Sequence, residues 1–303
     1  MNSRTLAILA ATGASTIYGI NHTIAKGLMP IYIQPFGFIL LRVTGAAILF
    51  WIISFCGPKE KVAMSDWTRI VGCAIFGMVI NMLMFFKGLS LSTPINSSVI
   101  ITVSPILVLL LAAVLIKEKI TLIKTIGIVI GLAGALALVL FSNTEATNAP
   151  NIPLGNMLFI VNAFSYGIYL ILVKPLTAKY HPFTLMKWLF LFAVIINFPI
   201  TISEFSQVEW LELPTHALWK MGFVIVGTTF LTYLMNIYAL KELSAATISA
   251  FIYLQPLIAI TFAVATGADS LDLIKITAAI LVFTGVYLVT KKPKQINDSV
   301  PDA

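Results

Sequence analysis

Two prolines stand inside long apolar runs of this 303-residue sequence, and each follows a polar residue: Pro105 follows Ser104, and Pro256 follows Gln255. A proline inside a helix removes one backbone hydrogen bond and leaves a carbonyl free to bind a polar group. Paired breaks at corresponding places in two halves of a membrane protein point to a solute site. The sequence therefore predicts binding chemistry around two broken helices.

Further polar and aromatic side chains stand within apolar runs, where a polar group must find a partner or a cavity. Tyr18 and Asn21 recur as Tyr166 and Tyr169 at a shift of 148 positions. This equivalence predicts that both segments border one cavity. The predicted cavity residues are Tyr18, Asn21, His22, Arg42, Asn81, Phe85, Ser104, Tyr166, Tyr169, Thr232, Asn236, Tyr253 and Gln255, beside the helix-break residues Pro105 and Pro256.

Two of these residues have more than one interpretation. Arg42 lies about eight residues into the second apolar run, where a charge at the helix centre costs about 2.5–3.5 kcal/mol. It either binds a carboxylate or lines an outer vestibule, or it snorkels outward or pins carbonyls of another helix. His22 either lines the cavity or packs as a neutral side chain, and its unshifted pKa lies near neutrality.

The acidic residues are informative by their positions. None of the 12 Asp and Glu residues lies in the middle of an apolar run. Pumps commonly relay protons through a buried carboxylate, so the pattern favours facilitated movement over proton coupling. The sequence has no paired intramembrane aspartates and no His-Glu-x-x-His motif. It predicts no catalytic site, metal or cofactor; a membrane enzyme and a non-transporting scaffold or regulatory protein stay open as alternatives.

Composition predicts an all-α integral membrane protein. The chain is 59% hydrophobic and 10% charged, with a mean hydropathy of +0.99, whereas soluble domains carry about 25% charged residues. A spanning helix needs about 20 apolar residues. Ten runs qualify, at approximately 5–28, 34–56, 67–87, 92–116, 121–141, 154–174, 183–203, 217–239, 245–267 and 272–290.

Basic residues predict the orientation of these runs. With both termini in the cytoplasm, fourteen of the 19 Lys and Arg residues fall on the inner side and four on the outer side. Inner loops of membrane proteins carry this excess. The net charge of +7 is thereby explained by the lipid bilayer as partner, and nucleic acid is not predicted.

An internal repeat predicts the architecture. Phe85–Val139 aligns without a gap on Asn236–Thr290 at a shift of 151 positions, matching Pro105 with Pro256 and Gly134 with Gly285. Repeats of five spans must enter the membrane from opposite sides. The predicted division is a first five-helix repeat at 1–141, a polar linker at 142–153, an inverted second repeat at 154–290 and a cytoplasmic tail at 291–303. Inverted repeats are typical of transporters with a midplane site.

The motifs resemble those of a known family. They are Tyr18-Gly19 with Lys26, Pro35 with Arg42, Phe86-Lys87-Gly88-Leu89-Ser90, Pro105, Ile116-Lys117-Glu118-Lys119-Ile120, Gly127 and Gly134. The pattern is similar to EamA-type members of the drug/metabolite transporter superfamily. Two departures are Tyr18, where Trp is usual, and Asp269, where Glu is usual.

The resemblance and the repeat together imply a function. We expect a bacterial inner-membrane transporter, with both termini cytoplasmic, that exports a small amphipathic solute such as an amino acid or related compound by alternating access. The solute, its direction and its coupling stay open. Gly127, Gly131, Gly134, Ala278 and Gly285 predict a close helix contact, with a homodimer contact there left open.

Overall fold

The computed structural model describes residues 2–26, 28–29, 31–92, 97, 100–117, 120–140, 150–265 and 273–290. Some helical side chains are outside this set, including that of His22. Most of the predicted linker 142–153 and all of the predicted tail 291–303 also lie outside the described residues.

Every regular element in the described part of the chain is a helix, which confirms the all-α prediction. The helices are α1 (Ser3–Lys26), α2 (Pro35–Ser54), α3 (Met64–Leu91), α4 (Ser104–Leu115), α5 (Leu122–Leu140), α6 (Ile152–Lys179), α7 (Pro182–Ser206), α8 (Thr215–Glu242), α9 (Ala245–Ala250, a 3₁₀ turn at Phe251–Tyr253, and Leu254–Ala265) and α10 (Leu273–Thr290). Five of them, α2, α3, α6, α7 and α8, are long and apolar enough to cross a membrane.

Two of the long helices contain a wide π turn. The turn occupies Ile75–Ile80 in α3 and Val224–Leu231 in α8. These positions correspond at a shift of about 150 residues. A π turn inserts extra chain into a helix and is frequent at functional sites. The insertion also rotates the helical faces that follow it relative to those that precede it.

The helices pack in pairs that are preserved when the first five are exchanged with the last five. Helix α1 packs against α8 and α9, and α6 packs against the corresponding α3 and α4. Helix α2 packs against α7, and α5 packs against α10. The last two pairs each join helices at equivalent places in the two halves of the chain.

Glycines allow α5 and α10 to approach closely. A Cβ on Gly285 would lie 2.5 Å from the Gly131 nitrogen and 2.6 Å from the Gly127 oxygen. A Cβ on Gly134 would lie 2.7 Å from the Ala278 oxygen. Because residue numbers rise along one helix as they fall along the other, the two helices are antiparallel. The predicted close contact is therefore confirmed, and these glycines face each other within one chain.

Helices α2 and α7 are antiparallel as well. The Glu204 carboxylate, near the end of α7, accepts hydrogen bonds from the Phe36 and Gly37 nitrogens at 2.6 and 3.2 Å. The carboxylate binds N–H groups in the first turn of α2, which have no acceptor within the helix. The helix dipole favours a negative charge at this end. Further along the pair, the rings of Phe50 and Phe190 lie 5.0 Å apart.

Candidate functional site

A small cavity lies where α1, α6 and α8 meet. Its polar lining is Tyr18, Tyr166, Tyr169, Tyr233 and Asn236, and its apolar lining is Leu170, Ile237 and Leu240. It leaves about 10 Å³ for the centre of a water molecule, which is room for about one water. The structure thus brings together four predicted residues: Tyr18, Tyr166, Tyr169 and Asn236.

Tyr233 is a cavity residue that the sequence prediction missed. It stands one turn before Asn236 and Ile237 in α8, so helical spacing could have identified it. Its hydroxyl donates to the Gly77 carbonyl at 3.3 Å, and its ring packs edge-on against Phe190 at 5.1 Å. The hydrogen bond reaches a carbonyl within the π turn of α3.

The π turn of α3 also shapes the cavity wall through Gly77. A Cβ on Gly77 would lie 2.5 Å from the Tyr169 ring, so the ring occupies space that another residue would fill. Ser165 donates to the Phe76 carbonyl at 2.6 Å. These contacts hold α6 against the irregular part of α3 and fix the position of Tyr169.

The second π turn binds two predicted residues through neighbouring threonines. Thr228 donates to the Asn21 side-chain oxygen at 2.8 Å. The Arg42 Nε donates to the Thr229 hydroxyl at 3.0 Å. Thr232 is fully buried and donates to the Thr228 carbonyl of its own helix. The α8 turn therefore connects α1 and α2 on the side of the cavity nearer the start of α8.

Arg42 is buried, with 6% of its surface exposed. The guanidinium carbon lies 5.8 Å from the Phe38 ring centre and 5.3 Å from that of Phe86, so the cation contacts this pair of edge-packed rings. Among the described residues, no carboxylate forms an ion pair with it. The burial excludes an outward-snorkelling side chain.

Other predicted residues lie away from the cavity. Asn81 and Asn162 exchange side-chain to backbone hydrogen bonds of 3.3 and 2.7 Å, joining α3 to α6. Phe85 packs on Phe86 and Phe159, with ring centres 5.1 and 6.0 Å away. The hydrogen-bond and ring partners of these side chains lie within the bundle, and none of these residues lines the cavity.

A turn lies at each predicted helix break, directly before α4 and within α9. Thr102 and Val103 form a turn directly before Ser104 and Pro105, and a 3₁₀ turn precedes Gln255 and Pro256. The carbonyl of Phe251 in the second break accepts a hydrogen bond from Ser15 of α1 at 3.0 Å. The second break thus connects to α1, but Ser104, Gln255 and the two prolines do not line the cavity.

Tyr253 is fully buried against Gly131 of α5, and its hydroxyl has no hydrogen-bond partner among the described residues. Gln255 is half-buried, and its carbonyl lies 3.0 Å from where a Cβ on Gly19 would be. The glycine beside Tyr18 therefore permits the close approach of α1 and α9. His22 lies in α1, and its side chain is outside the described residues.

Hydrogen bonds join the chain halves at both ends of the bundle. At one end, Lys179 binds both oxygens of Asp66 at 3.0 Å, and the Tyr180 hydroxyl donates to Asp66 at 2.8 Å. At the same end, but within the second half, Lys174 donates to the carbonyls of Leu240, Lys241 and Leu243, where α8 ends. At the other end, Tyr32 hydrogen-bonds with His216 at 2.9 Å.

Comparison with known proteins identifies the class. The sequence model of the EamA-like transporter family matches residues 5–140 and 153–291. An uncharacterized transporter of Archaeoglobus fulgidus is 26% identical over 277 residues, covering 91% of this chain and 96% of its own. A WAT1-related protein of Arabidopsis thaliana is 24% identical, covering 90% of this chain and 82% of its own. One crystal structure matches with a TM-score of 0.75 at 16% identity, covering 94% of this chain and 96% of its own.

The apolar helices and these matches define a multi-pass membrane protein of the transporter class, rather than an enzyme. The chain belongs to the EamA-like transporter family. The resemblance found in the sequence motifs is thereby confirmed.

Proposed function

We propose that the protein moves a small amphipathic organic solute across the membrane by alternating access, and that the tyrosine-lined cavity is its binding site. Four aromatic walls suit an apolar body, and the phenol hydroxyls and the Asn236 amide offer hydrogen bonds to a polar group. An amino acid or a related compound has this shape. Export is the expected direction, in line with the sequence prediction.

The proposed framework has ten spans in two inverted units, at 1–141 and 154–290, joined by the linker 142–153. The antiparallel packing of α2 with α7 and of α5 with α10 supports it, since these are equivalent helices in opposite directions. The matched π turns of α3 and α8 support the same relation. In such transporters the solute binds where the two repeats meet.

We further propose that both termini, including the tail 291–303, lie in the cytoplasm of a bacterial inner membrane. The excess of basic residues in alternate loops supports this orientation. The end of the bundle with Asp66 and Lys179 is then cytoplasmic, and the end with Glu204 and His216 faces outward. Movement of solute requires the contacts at each end to separate in turn.

The observation that carries the proposal is the convergence of Tyr18, Tyr166, Tyr169, Tyr233 and Asn236 on one cavity between α1, α6 and α8. Helices α1 and α6 are equivalent members of the two units, so the cavity lies on their shared boundary. A cavity for only about one water corresponds to a closed conformation, which must widen to admit a solute.

Flux measurements on purified protein in liposomes test the proposal. A panel of amino acids, nucleosides and vitamins is loaded inside, and efflux is compared with that from protein-free liposomes. Tyr18→Phe and Tyr233→Phe should slow the efflux of a transported solute several-fold, because each removes one hydroxyl from the cavity. Tyr287→Phe is the matched control, since Tyr287 is 63% exposed on α10. Equal efflux in all three variants would move the site elsewhere.

Absence of flux for every solute would favour a scaffold or regulatory role over transport. Chemical turnover of a solute or lipid in the same liposomes would instead favour a membrane enzyme. Mass measurement of the recovered compounds separates these outcomes, since transport leaves the solute unchanged.

A further inference from the structure

We infer that the transported solute carries a carboxylate, and that Arg42 is its counter-charge. The inference rests on the proposed function, because it assigns the charge of the solute that the cavity receives. The tyrosines would hold the apolar body, and the guanidinium would bind the anionic group at the adjoining end.

The first support is the unbalanced charge of the protein interior. Arg42 is buried in α2, and the described carboxylates at positions 60, 66, 204, 209, 212 and 242 all lie near helix ends. In the whole sequence, no Asp or Glu stands in the middle of an apolar run. A buried charge without a partner is strongly unfavourable, so a counter-ion from the solute would stabilise it.

The second support is the free hydrogen-bonding capacity of the guanidinium. Nε is the atom of Arg42 that binds within the described part of the chain, and it donates to Thr229. The two terminal nitrogens make no bond there, and 6% of the Arg42 surface is exposed. These nitrogens form a planar fork that matches both oxygens of a carboxylate.

The third support is the position of Arg42 beside the cavity. Thr229 lies in the π turn of α8, and Tyr233 follows it by four residues, about one helical turn further on. Arg42 binds the first, and the second lines the cavity. The rings of Phe38 and Phe86, which pack edge-on with centres 5.6 Å apart, cover the cation on one side. A solute body among the tyrosines therefore leaves its acidic group within reach of Arg42.

The same surroundings predict what the site rejects. A solute whose charged group is an ammonium would bring a second cation close to Arg42, with no described carboxylate to offset it. A neutral amide keeps the shape of the acid but loses the charge-assisted hydrogen bonds. The site should therefore prefer acids to their amides, and amides to amines of equal size.

Thermal unfolding of the purified full chain in detergent tests this preference with matched probes. The probes are 3-phenylpropionate, 3-phenylpropionamide and 3-phenylpropylamine, beside 4-methylpentanoate and its amide. We expect the acids to raise the unfolding temperature in a saturable manner, and the amides to require about tenfold higher concentration or more. Equal stabilisation by acid and amide, or none by either acid, overturns the inference.

Variants separate binding from a purely structural role of Arg42. Arg42→Gln should abolish the preference for acid over amide, whereas Arg42→Lys should retain the preference with weaker binding. Thr229→Val removes the Nε partner but keeps the charge, so it should weaken binding and leave the preference in place. If Arg42→Gln unfolds, the affinity of the other two variants for acids tests the inference, because Arg42→Lys and Thr229→Val should both bind acids more weakly than the unaltered protein. An acid-to-amide preference that persists in folded Arg42→Gln, or an acid affinity that is unchanged in both Arg42→Lys and Thr229→Val, contradicts the inference.

Liposome flux distinguishes failure of this inference from failure of the proposed function. Efflux of amides at the same rate as acids overturns the charge assignment and leaves the transport function intact. Specific binding of acids without efflux of any solute overturns the transport function and leaves the charge assignment intact.

Discussion

The ring of Tyr169 lies where a side chain on Gly77 would be, since a Cβ at that position would be 2.5 Å from the ring. The contact joins the π turn of α3 to the cavity wall on α6. A cavity with room for about one water therefore depends on a residue that does not line it.

Gly77→Ala should slow solute efflux strongly and lower the unfolding temperature only modestly. The added methyl pushes the Tyr169 ring into the cavity, and the fully buried surroundings leave the ring little space to move elsewhere. Gly72→Ala is the matched control in the same helix, because its Cβ would meet Leu172 at an ordinary 3.6 Å. Efflux from liposomes and the unfolding temperature are measured for both variants. Equal efflux in the two would show that Tyr169 does not shape the path.

Gly285→Ala should destabilise the protein by about 1–3 kcal/mol, as is typical of overpacking. Its Cβ would meet backbone atoms of α5 at 2.5–2.6 Å, and backbone cannot rotate away as a side chain can. Thermal unfolding at several protein concentrations measures the change. Gly222→Ala is the control, since nothing lies within 4 Å of its Cβ. A loss that depends on protein concentration would instead place this face between two copies of the chain.

Asp66→Asn should destabilise the end of the bundle that we assign to the cytoplasm. The carboxylate accepts from the buried Tyr180 hydroxyl at 2.8 Å and from Lys179 at 3.0 Å. Tyr180→Phe should cost about 0.5–1.5 kcal/mol. Lys179→Met should cost about 0–1 kcal/mol, because the Lys179 side chain is 53% exposed and its ion pair is screened. Unfolding in detergent at low and high salt tests whether Tyr180→Phe costs more stability than Lys179→Met.

An imposed proton gradient should not drive accumulation of solute. The sequence places no acidic residue in the middle of an apolar run, and proton-coupled carriers commonly use one. Uptake into liposomes is compared with equal pH on both sides and with the interior acid or alkaline, after subtraction of protein-free uptake. Accumulation in one gradient direction alone would require a proton path through other groups, such as His22.

Sequence patterns predicted helices, the close contact of α5 with α10 and part of the cavity, for identifiable reasons. Tyr166 and Tyr169 were found because the repeat relates them to Tyr18 and Asn21. Tyr233 was missed, and Asn81 and Phe85 were placed in the cavity although they pack within the bundle. The π turn at Ile75–Ile80 accounts for Asn81 and Phe85, since it rotates the helical faces that follow it and regular spacing does not anticipate the rotation. Tyr233 stands one turn before Asn236, and helical spacing within α8 could have identified it.

Tertiary packing decides which side chains beside the helix breaks face the cavity. Proline predicted the breaks in α4 and α9, but not which side chains of those helices would face the cavity. Gly19 brings α1 so close to α9 that the backbone of Gln255 makes the contact. Tyr253 turns toward Gly131 of α5 for the same reason, because a glycine leaves room for a ring. Such contacts join residues far apart in the chain, and local spacing does not encode them.

The central claim is that the cavity opens to each side of the membrane in turn, and cysteine labelling at Asn236 tests it most directly. Asn236→Cys is made with Cys56 and Cys73 changed to Ser, and a membrane-impermeant thiol reagent is applied to right-side-out and inside-out vesicles. Tyr287→Cys, on the exposed face of α10, is the control for reagent reaching the lipid-facing surface. The account predicts that Asn236→Cys is labelled from both sides and that a transported solute slows both reactions. Labelling from one side alone, or unaffected by solute, would contradict it.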